Sequence, residues 1–186
     1  MKRLFLLALP LLLALPLLRA DDKKTKLDVI YWPTPQDVVE KMLELAEVKK
    51  TDVVYDLGCG DGRIVVTAAK KYGAKGVGFD IDPERIKDSL ENVKKNNVKD
   101  LVEIKQEDIF KLDLSKASVV TLYLLRELNV KLIPQLEKLK PGSRIVSHEF
   151  DMMGVKPKKV IMVKSKQEEH ERERPVYLWV TPLEKE

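Results

Sequence analysis

Three glycines at alternate positions, Gly58, Gly60 and Gly62, follow directly on the apolar run Val53-Val54-Tyr55, and two aspartates, Asp56 and Asp61, lie among them. Residues without a β-carbon let the backbone turn sharply, take up positive φ and come close to a ligand. Where such a turn opens a helix, free N–H groups and the positive end of the helix dipole add an attraction for polar ligands. Asp80 closes the next apolar stretch, "GVGFD", and a carboxylate at that place can accept both hydroxyls of a ribose. The spacing therefore predicts a nucleoside-containing ligand laid across the ends of two neighbouring strands. The bland alternative is a tight turn with no ligand at all.

Charge narrows the nucleoside. A dinucleotide fingerprint needs a third glycine three residues beyond Gly60, where this chain has Arg63. Asp56 and Asp61 would also repel a pyrophosphate, whereas a ligand with a cationic α-amino group would be drawn to them. That favours S-adenosylmethionine (SAM) over NAD.

The elements that must hold these residues alternate. "PTPQDVVEKMLELA" carries helix signals, with Thr34 as N-cap, Pro35 at the first helical position and Val38, Val39, Met42, Leu43 and Ala46 on one face. "DVVYDL" reads as a buried strand, Gly62 to Tyr72 as a helix, and "GVGFDI" as a second strand. Asp82 and Pro83 then open a helix with Ile86, Leu90 and Val93 at helical spacing. "LVEIKQ" and "SVVTLYLL" are strands, residues 127–140 a helix kinked at Pro134, and "SRIVSHEF" a fifth strand. Such alternation predicts an α/β fold, mostly a parallel sheet with helices on both faces. Between Phe150 and "KVIMVK" there is too little chain for a helical crossover, so that strand and the last, "VYLWVTP", are expected to form an antiparallel C-terminal edge.

Taken together, "VVYDLGCGDGR", "GVGFDID", "QEDIF" and "LKPGSRIV" resemble the class I SAM-dependent methyltransferases, in order from about Val53 to Phe150. Within that superfamily "DLGCGDGRIV", preceded by "PTPQDVVEKML", is similar to the small lysine methyltransferases related to the one acting on the ATP synthase c-subunit. The resemblance implies a Rossmann-like methyltransferase fold with SAM as cofactor. It implies that Asp56, Gly58, Gly60 and Gly62 line the methionine end and that Asp80 holds the ribose. By the same likeness Ile81 packs on the adenine, Asp108 accepts from its amino group and Ile109 covers the other face. Thr34 and Gln36 fall in a leading segment that closes over the cofactor. For Asp108 a plain strand end stays open as the alternative.

Methyl transfer from a sulfonium asks the protein mainly for alignment of a dry, uncharged nucleophile. The acceptor site is expected at the end of the fourth strand, "TLYLLRE". An Asn/Asp-Pro-Pro-aromatic motif, which would point to nucleobase amino groups, is not there. A second cysteine for covalent pyrimidine chemistry and a magnesium-binding set are also missing from the sequence. That leaves a protein lysine, as the resemblance implies, or a small molecule. A non-catalytic SAM- or nucleoside-binding module is the reading from a different class. Tyr123 is the candidate to orient or desolvate an amine. His148 and Glu149, at the end of the fifth strand, are the candidates to take a proton, a buried or rim pair being the alternative; of the two, Glu149 is the catalytic candidate. Tyr31 and Trp32 divide between core packing and acceptor recognition. Cys59 reads as loop filler, His170 as part of a solvated loop and Trp179 as packing.

The 186 residues suffice for one domain with a sizeable core. "MKRLFLLALPLLLALPLLRA" has a basic start, an apolar run from Leu4 to Leu18 and the small Ala20 before two aspartates. That is the layout of a secretory signal peptide, its run shorter than the roughly 20 residues of a membrane-spanning helix. Residues 1–20 are thus expected to direct export to a periplasmic or extracellular location, with an uncleaved membrane anchor as the alternative. Residues 21–30 read as a linker and residues 31–186 as the methyltransferase domain. Without Lys2, Arg3 and Arg19 the 34 basic side chains fall to 31 against 30 acidic ones. The domain is then nearly neutral and offers no charge footprint for nucleic acid. Cys59, the one cysteine, excludes an intrachain disulfide.

Overall fold

The computed structural model describes residues 31–167 and 172–186. The expected leader, the linker and His170 lie outside the described residues. The observed elements are α1 (Gln36–Leu45), β1 (Val53–Leu57), α2 (Arg63–Tyr72), β2 (Lys75–Asp80), α3 (Pro83–Lys95), β3 (Val102–Gln106), β4 (Val119–Leu122), α4 (Arg126–Leu136), β5 (Arg144–His148), β6 (Lys159–Lys164) and β7 (Glu173–Val180). A single 3-10 turn, Ile109–Lys111, follows β3.

The strands form one sheet in the order β3-β2-β1-β4-β5-β7-β6. Neighbours from β3 through β5 run parallel, whereas β7 is antiparallel to both β5 and β6. The antiparallel edge is as expected, and its order, which the sequence left open, puts the last strand of the chain inside and β6 outermost. Composition explains the order. β7 buries Val176 and Trp179 on opposite faces, while β6 leaves Val160 and Met162 half-exposed and carries lysine at both ends, a usual way to blunt an edge.

Side chains alternate across the sheet. Val54, Val119, Val146 and Val176 face α1 and α2, packing on Val38, Val39, Met42 and Leu43. Tyr55, Leu57, Val120, Leu122 and Ile145 face the other way, on Leu132 and Leu136 of α4 and on Trp179. α3 extends the first layer through Val93, which packs with Val65, Val66 and Val102. Helices therefore cover both faces.

Three local expectations shift. The cap of α1 is Pro35, with no side-chain cap hydrogen bond, and Thr34 is not the capping residue. Its hydroxyl lies instead 3.4 Å from Nδ1 of His148. Asp37 serves the first turn by accepting from Ser165 Oγ and the Lys166 amide, tying α1 to the chain after β6. β4 stops at Leu122, not Leu125, because its partner β1 turns into the glycine loop after Leu57, paired with Leu122, and no ladder remains. α4 ends at Leu136, two residues past Pro134 and short of residue 140: the proline removes one of the i→i−4 donors of the last turn, and the helix stops soon after it.

Candidate active site

The glycine loop sits at the carboxyl end of β1. Its first two amides, Gly58 N and Cys59 N, both donate to the Phe79 carbonyl at 2.8 and 2.9 Å, which stitches the loop to the end of β2. Gly60 has φ +55° and a β-carbon there would stand 2.5 Å from Cε2 of Tyr31. A side chain is thus excluded by conformation and by space. Gly62 caps α2, and a β-carbon on it would meet Ser89 of α3, so its work is close helix packing.

Beside the loop opens a cavity of about 330 Å³, within the usual range of small-molecule sites. Of the sequence-derived candidates, Thr34, Asp56, Gly58, Gly60, Asp80, Ile81, Asp108, Ile109 and Tyr123 line it. Gln36, Gly62 and Glu149 do not. Gln36 turns towards α2, where its amide donates to Thr67 Oγ1 at 2.9 Å. The structure thus gives Gln36 a helix-joining role in place of a cofactor contact, and Glu149 lies behind Tyr123.

Asp56 is the most unusual group in the wall. It is 2% exposed and sits beside Thr121 in the β1–β4 register, whose hydroxyl donates to its Oδ1 at 2.6 Å. Its Oδ2 is buried with no hydrogen-bond partner among the described residues. Burial, joined by the charges of Asp80 and Asp61 and opposed by the Thr121 hydroxyl, pushes its pKa up to about 7. An orphaned buried oxygen of this kind, on a carboxylate unwilling to ionise alone, fits a ligand that brings a cation. It suits the α-ammonium of SAM and not a pyrophosphate.

Asp80 fastens the loop and faces the ligand space. Its Oδ2 accepts from Gly60 N at 2.9 Å and its Oδ1 from Asp82 N at 3.0 Å. Each carboxylate oxygen keeps acceptor capacity, so holding a ribose is compatible with bracing the loop. Asp108 caps the 3-10 turn: its carboxylate accepts from the Phe110 amide and pairs with Lys111 at 3.2 Å. Those contacts, the Phe110 amide foremost, hold it below the usual carboxylate range. The strand-end reading of Asp108 therefore describes part of its work, alongside its place in the wall.

Several wall residues had no signal in the spacing. Arg63, read only as the residue that breaks the dinucleotide pattern, pairs with Asp61 at 2.6 Å and donates from Nη1 to the Thr34 carbonyl at 2.8 Å. It pins the leading segment across the cavity. Arg85 lies over the Tyr31 ring, 4.5 Å from its centre. Leu124, Leu125, Leu128 and Phe150 also line the cavity, Phe150 with its ring centre 6.3 Å from that of Tyr123. Cys59 is buried among carboxylates and its thiol is pushed up, chiefly by burial. That removes it as a nucleophile. His148 is fully buried under Tyr123, ring centres 4.2 Å apart, and burial pushes its pKa down to about 4. It is a neutral, enclosed ring and does not take up a proton from the cavity.

The ANTKMT methyltransferase domain matches residues 56–159, from the glycine loop to the start of β6. The chain belongs to this family. It is a SAM-dependent methyltransferase of the class I, Rossmann-like kind. A protein-lysine N-methyltransferase of Saccharolobus islandicus (strain REY15A) is 50% identical over 154 residues, 82% of this chain and 93% of that protein. The crystal structure of an RNA methyltransferase from Salinibacter ruber in complex with S-adenosyl-L-homocysteine matches with a TM-score of 0.75 and 49% identity. It covers 81% of this chain and 94% of that one. More distantly, a ribosomal protein L11 methyltransferase of Thermotoga petrophila is 35% identical over 127 residues, with 44% of its length covered. For this methyltransferase SAM supplies an electrophilic methyl group. Asp56, Asp80 and the loop around Gly58 and Gly60 are the residues that would hold it.

Proposed function

We propose that this methyltransferase acts on lysine side chains of protein. The observation that carries the reading is the charge of the cavity wall. Six carboxylates line it (Asp56, Asp61, Asp80, Asp82, Glu107 and Asp108) against two cations, Arg63 and Arg85. Both cations are engaged, Arg63 with Asp61 and Arg85 with Asp88 at 3.0 Å. A lysine side chain brings no negative charge against such a wall, whereas an RNA acceptor, the substrate in the name of the Salinibacter relative, would bring phosphates against it. The name of the Saccharolobus relative supports the same reading.

The chain's own residues account for the rest of the work. Trp32, Tyr123, Leu125 and Phe150 form an aromatic and apolar mouth that strips water from an arriving side chain. Desolvation disfavours the ammonium, so the amine enters in its neutral, nucleophilic form and its proton leaves to solvent. Alignment is what remains, and it falls to the residues at the end of β4. Tritiated SAM supplied with a lysine homopolymer, with protein extract and with RNA tests this. Label is expected in the polymer and in protein, on lysine by mass spectrometry. Label in RNA alone, or only in small molecules, would refute it.

The export reading belongs to the same proposal, since it sets which acceptors are within reach. Residues 1–20 would direct the chain out of the cytosol, supported by Lys2-Arg3, the leucine run and Ala20. No helix among the described residues is long and apolar enough to cross a membrane.

A further inference from the structure

On the side of Tyr123 away from the glycine loop stands an arrangement that cofactor binding does not use. Glu149, directly after β5, has φ +64°, a left-handed backbone that residues with side chains rarely hold without help. β7 supplies the help through two adjacent residues. Glu149 N donates to the Pro175 carbonyl at 2.8 Å, and Arg174 donates from Nη1 to Glu149 Oε2. Arg172 stands 3.9 Å from the other carboxylate oxygen. The Glu149 and Arg174 side chains keep only 16% and 18% of their exposure, so the pair is enclosed. The oxygen that Arg174 grips is also the one 3.2 Å from the Tyr123 hydroxyl.

The chemistry of these groups fixes the direction of that last bond. A carboxylate paired with guanidinium groups only accepts, so the Tyr123 hydroxyl is the donor. With its hydrogen committed to Glu149, the phenolic oxygen meets any further polar partner as an acceptor. The ring is fixed as well, resting on His148 and stacked 6.3 Å from Phe150. Tyr123 lines the cavity and Glu149 does not.

We infer that Glu149 is a positioning residue which, gripped by Arg174 of β7, turns the Tyr123 hydroxyl so that its oxygen receives an N–H of the acceptor amine. This rests on the lysine reading above. A neutral primary amine has two N–H groups and one lone pair. Holding one N–H at Tyr123 restricts where the lone pair points, which is the alignment that methyl transfer needs. Glu149 is then not a general base, and the strand inserted beside β5 is part of the acceptor site although none of its residues reaches the cavity.

The test is a mutant cycle with tritiated SAM and the lysine homopolymer as acceptor, and with S-adenosylhomocysteine binding measured by calorimetry. Tyr123→Phe and Glu149→Gln are each expected to lower kcat by roughly tenfold or more, the scale of a hydrogen bond that involves a charged group. S-adenosylhomocysteine affinity should stay within about twofold. Because Glu149 acts through Tyr123, the double variant should be no slower than Tyr123→Phe alone. Should Glu149→Gln misfold by circular dichroism, Arg174→Lys, which keeps a cation but loosens the grip, is expected to fold and to fall between wild type and Tyr123→Phe in kcat. Additive losses in the double variant, or wild-type kcat in Glu149→Gln or Arg174→Lys, would overturn the inference while leaving the lysine reading intact. No transfer to the polymer by the wild type would overturn the lysine reading, and this inference with it.

Discussion

Replacing Asp56 by asparagine tests the centre of the cofactor site. In the wild type the buried carboxyl titrates at about 7 against an ordinary 3.8. At about 1.36 kcal/mol per pH unit that gap corresponds to about 4 kcal/mol. The folded protein holds this proton more tightly than the unfolded chain does. Its contribution to stability is therefore fully present below about pH 4 and is lost as the pH rises to about 7, staying level above. Ligand linkage has the opposite slope. An ammonium-bearing cofactor prefers the ionised carboxylate, so affinity should be level above about pH 7 and weaken about tenfold per unit below it. The side chain introduced by Asp56→Asn cannot ionise; its oxygen can still accept from Thr121, but its amide group would face the cation. Affinity for S-adenosylhomocysteine at about pH 8 should fall roughly ten- to a hundredfold, as for a lost charge-assisted bond, and the pH dependence of both affinity and stability should flatten. Calorimetric titration at several pH values, with thermal melts of the ligand-free protein alongside, measures all of this. A wild-type Kd that does not change between about pH 6 and about pH 8, or an Asp56→Asn variant that binds as tightly, would refute the placement of Asp56 against the cofactor's cation.

Gly60→Ala should weaken S-adenosylhomocysteine binding by more than tenfold with a native circular dichroism spectrum, since it adds a β-carbon 2.5 Å from Tyr31 at a φ of +55° and a side chain costs roughly 1–2 kcal/mol in that conformation. Adding Tyr31→Ala should recover the steric part alone; full recovery would show that the backbone conformation is unimportant. Asp80→Asn leaves one of the amides of Gly60 and Asp82 facing an NH2 group, so it should lower the melting temperature by several degrees as well as weaken cofactor binding by roughly 2–3 kcal/mol, and unchanged affinity would remove Asp80 from the ribose. A chain beginning near Asp21 should fold and bind cofactor as the full chain does, because the first element among the described residues starts at Gln36. Mass spectrometry of the N-terminus in fractionated source cells then decides the leader: intact Met1 on cytosolic protein refutes export, and intact Met1 on membrane-bound protein selects the anchor.

The glycine-loop end of the cavity was readable because it is local in sequence. Gly58, Gly60 and Asp56 lie within five residues of one another, their φ values and the strand-to-helix turn follow from glycine and aspartate placed there, and Asp80 is reached by one βα unit. The sheet was readable for the same reason: β1 to β5 follow from alternation, and "too little chain for a crossover" was enough to give an antiparallel edge. Legibility failed where partners come from far away. Gln36 was assigned to the cofactor on position alone, and nothing near it in the sequence announces Thr67 on α2 as its partner. Arg63 was noticed for the pattern it breaks, and its bond to the Thr34 carbonyl spans another 29 residues.

The acceptor end is the extreme of this. Glu149 and Tyr123 looked like independent candidates at the ends of two strands, one a base and the other an orienting group. They become one unit only because β7, the last strand of the chain, returns between β5 and β6 and sets Arg174 and Pro175 against Glu149. Had β7 been the outer strand, Glu149 would have had no guanidinium at its side and no carbonyl for its amide, and the proton-acceptor reading would have stood on its merits. The inner strand is the one that buries Val176 and Trp179, while Val160 and Met162 of the outer one stay half-exposed, and such a difference in tertiary context between "KVIMVK" and "VYLWVTP" is encoded by no local motif. The chemistry at Tyr123 thus depends on the outcome of a packing choice some fifty residues further along the chain, and that dependence is what the Tyr123–Glu149 cycle measures.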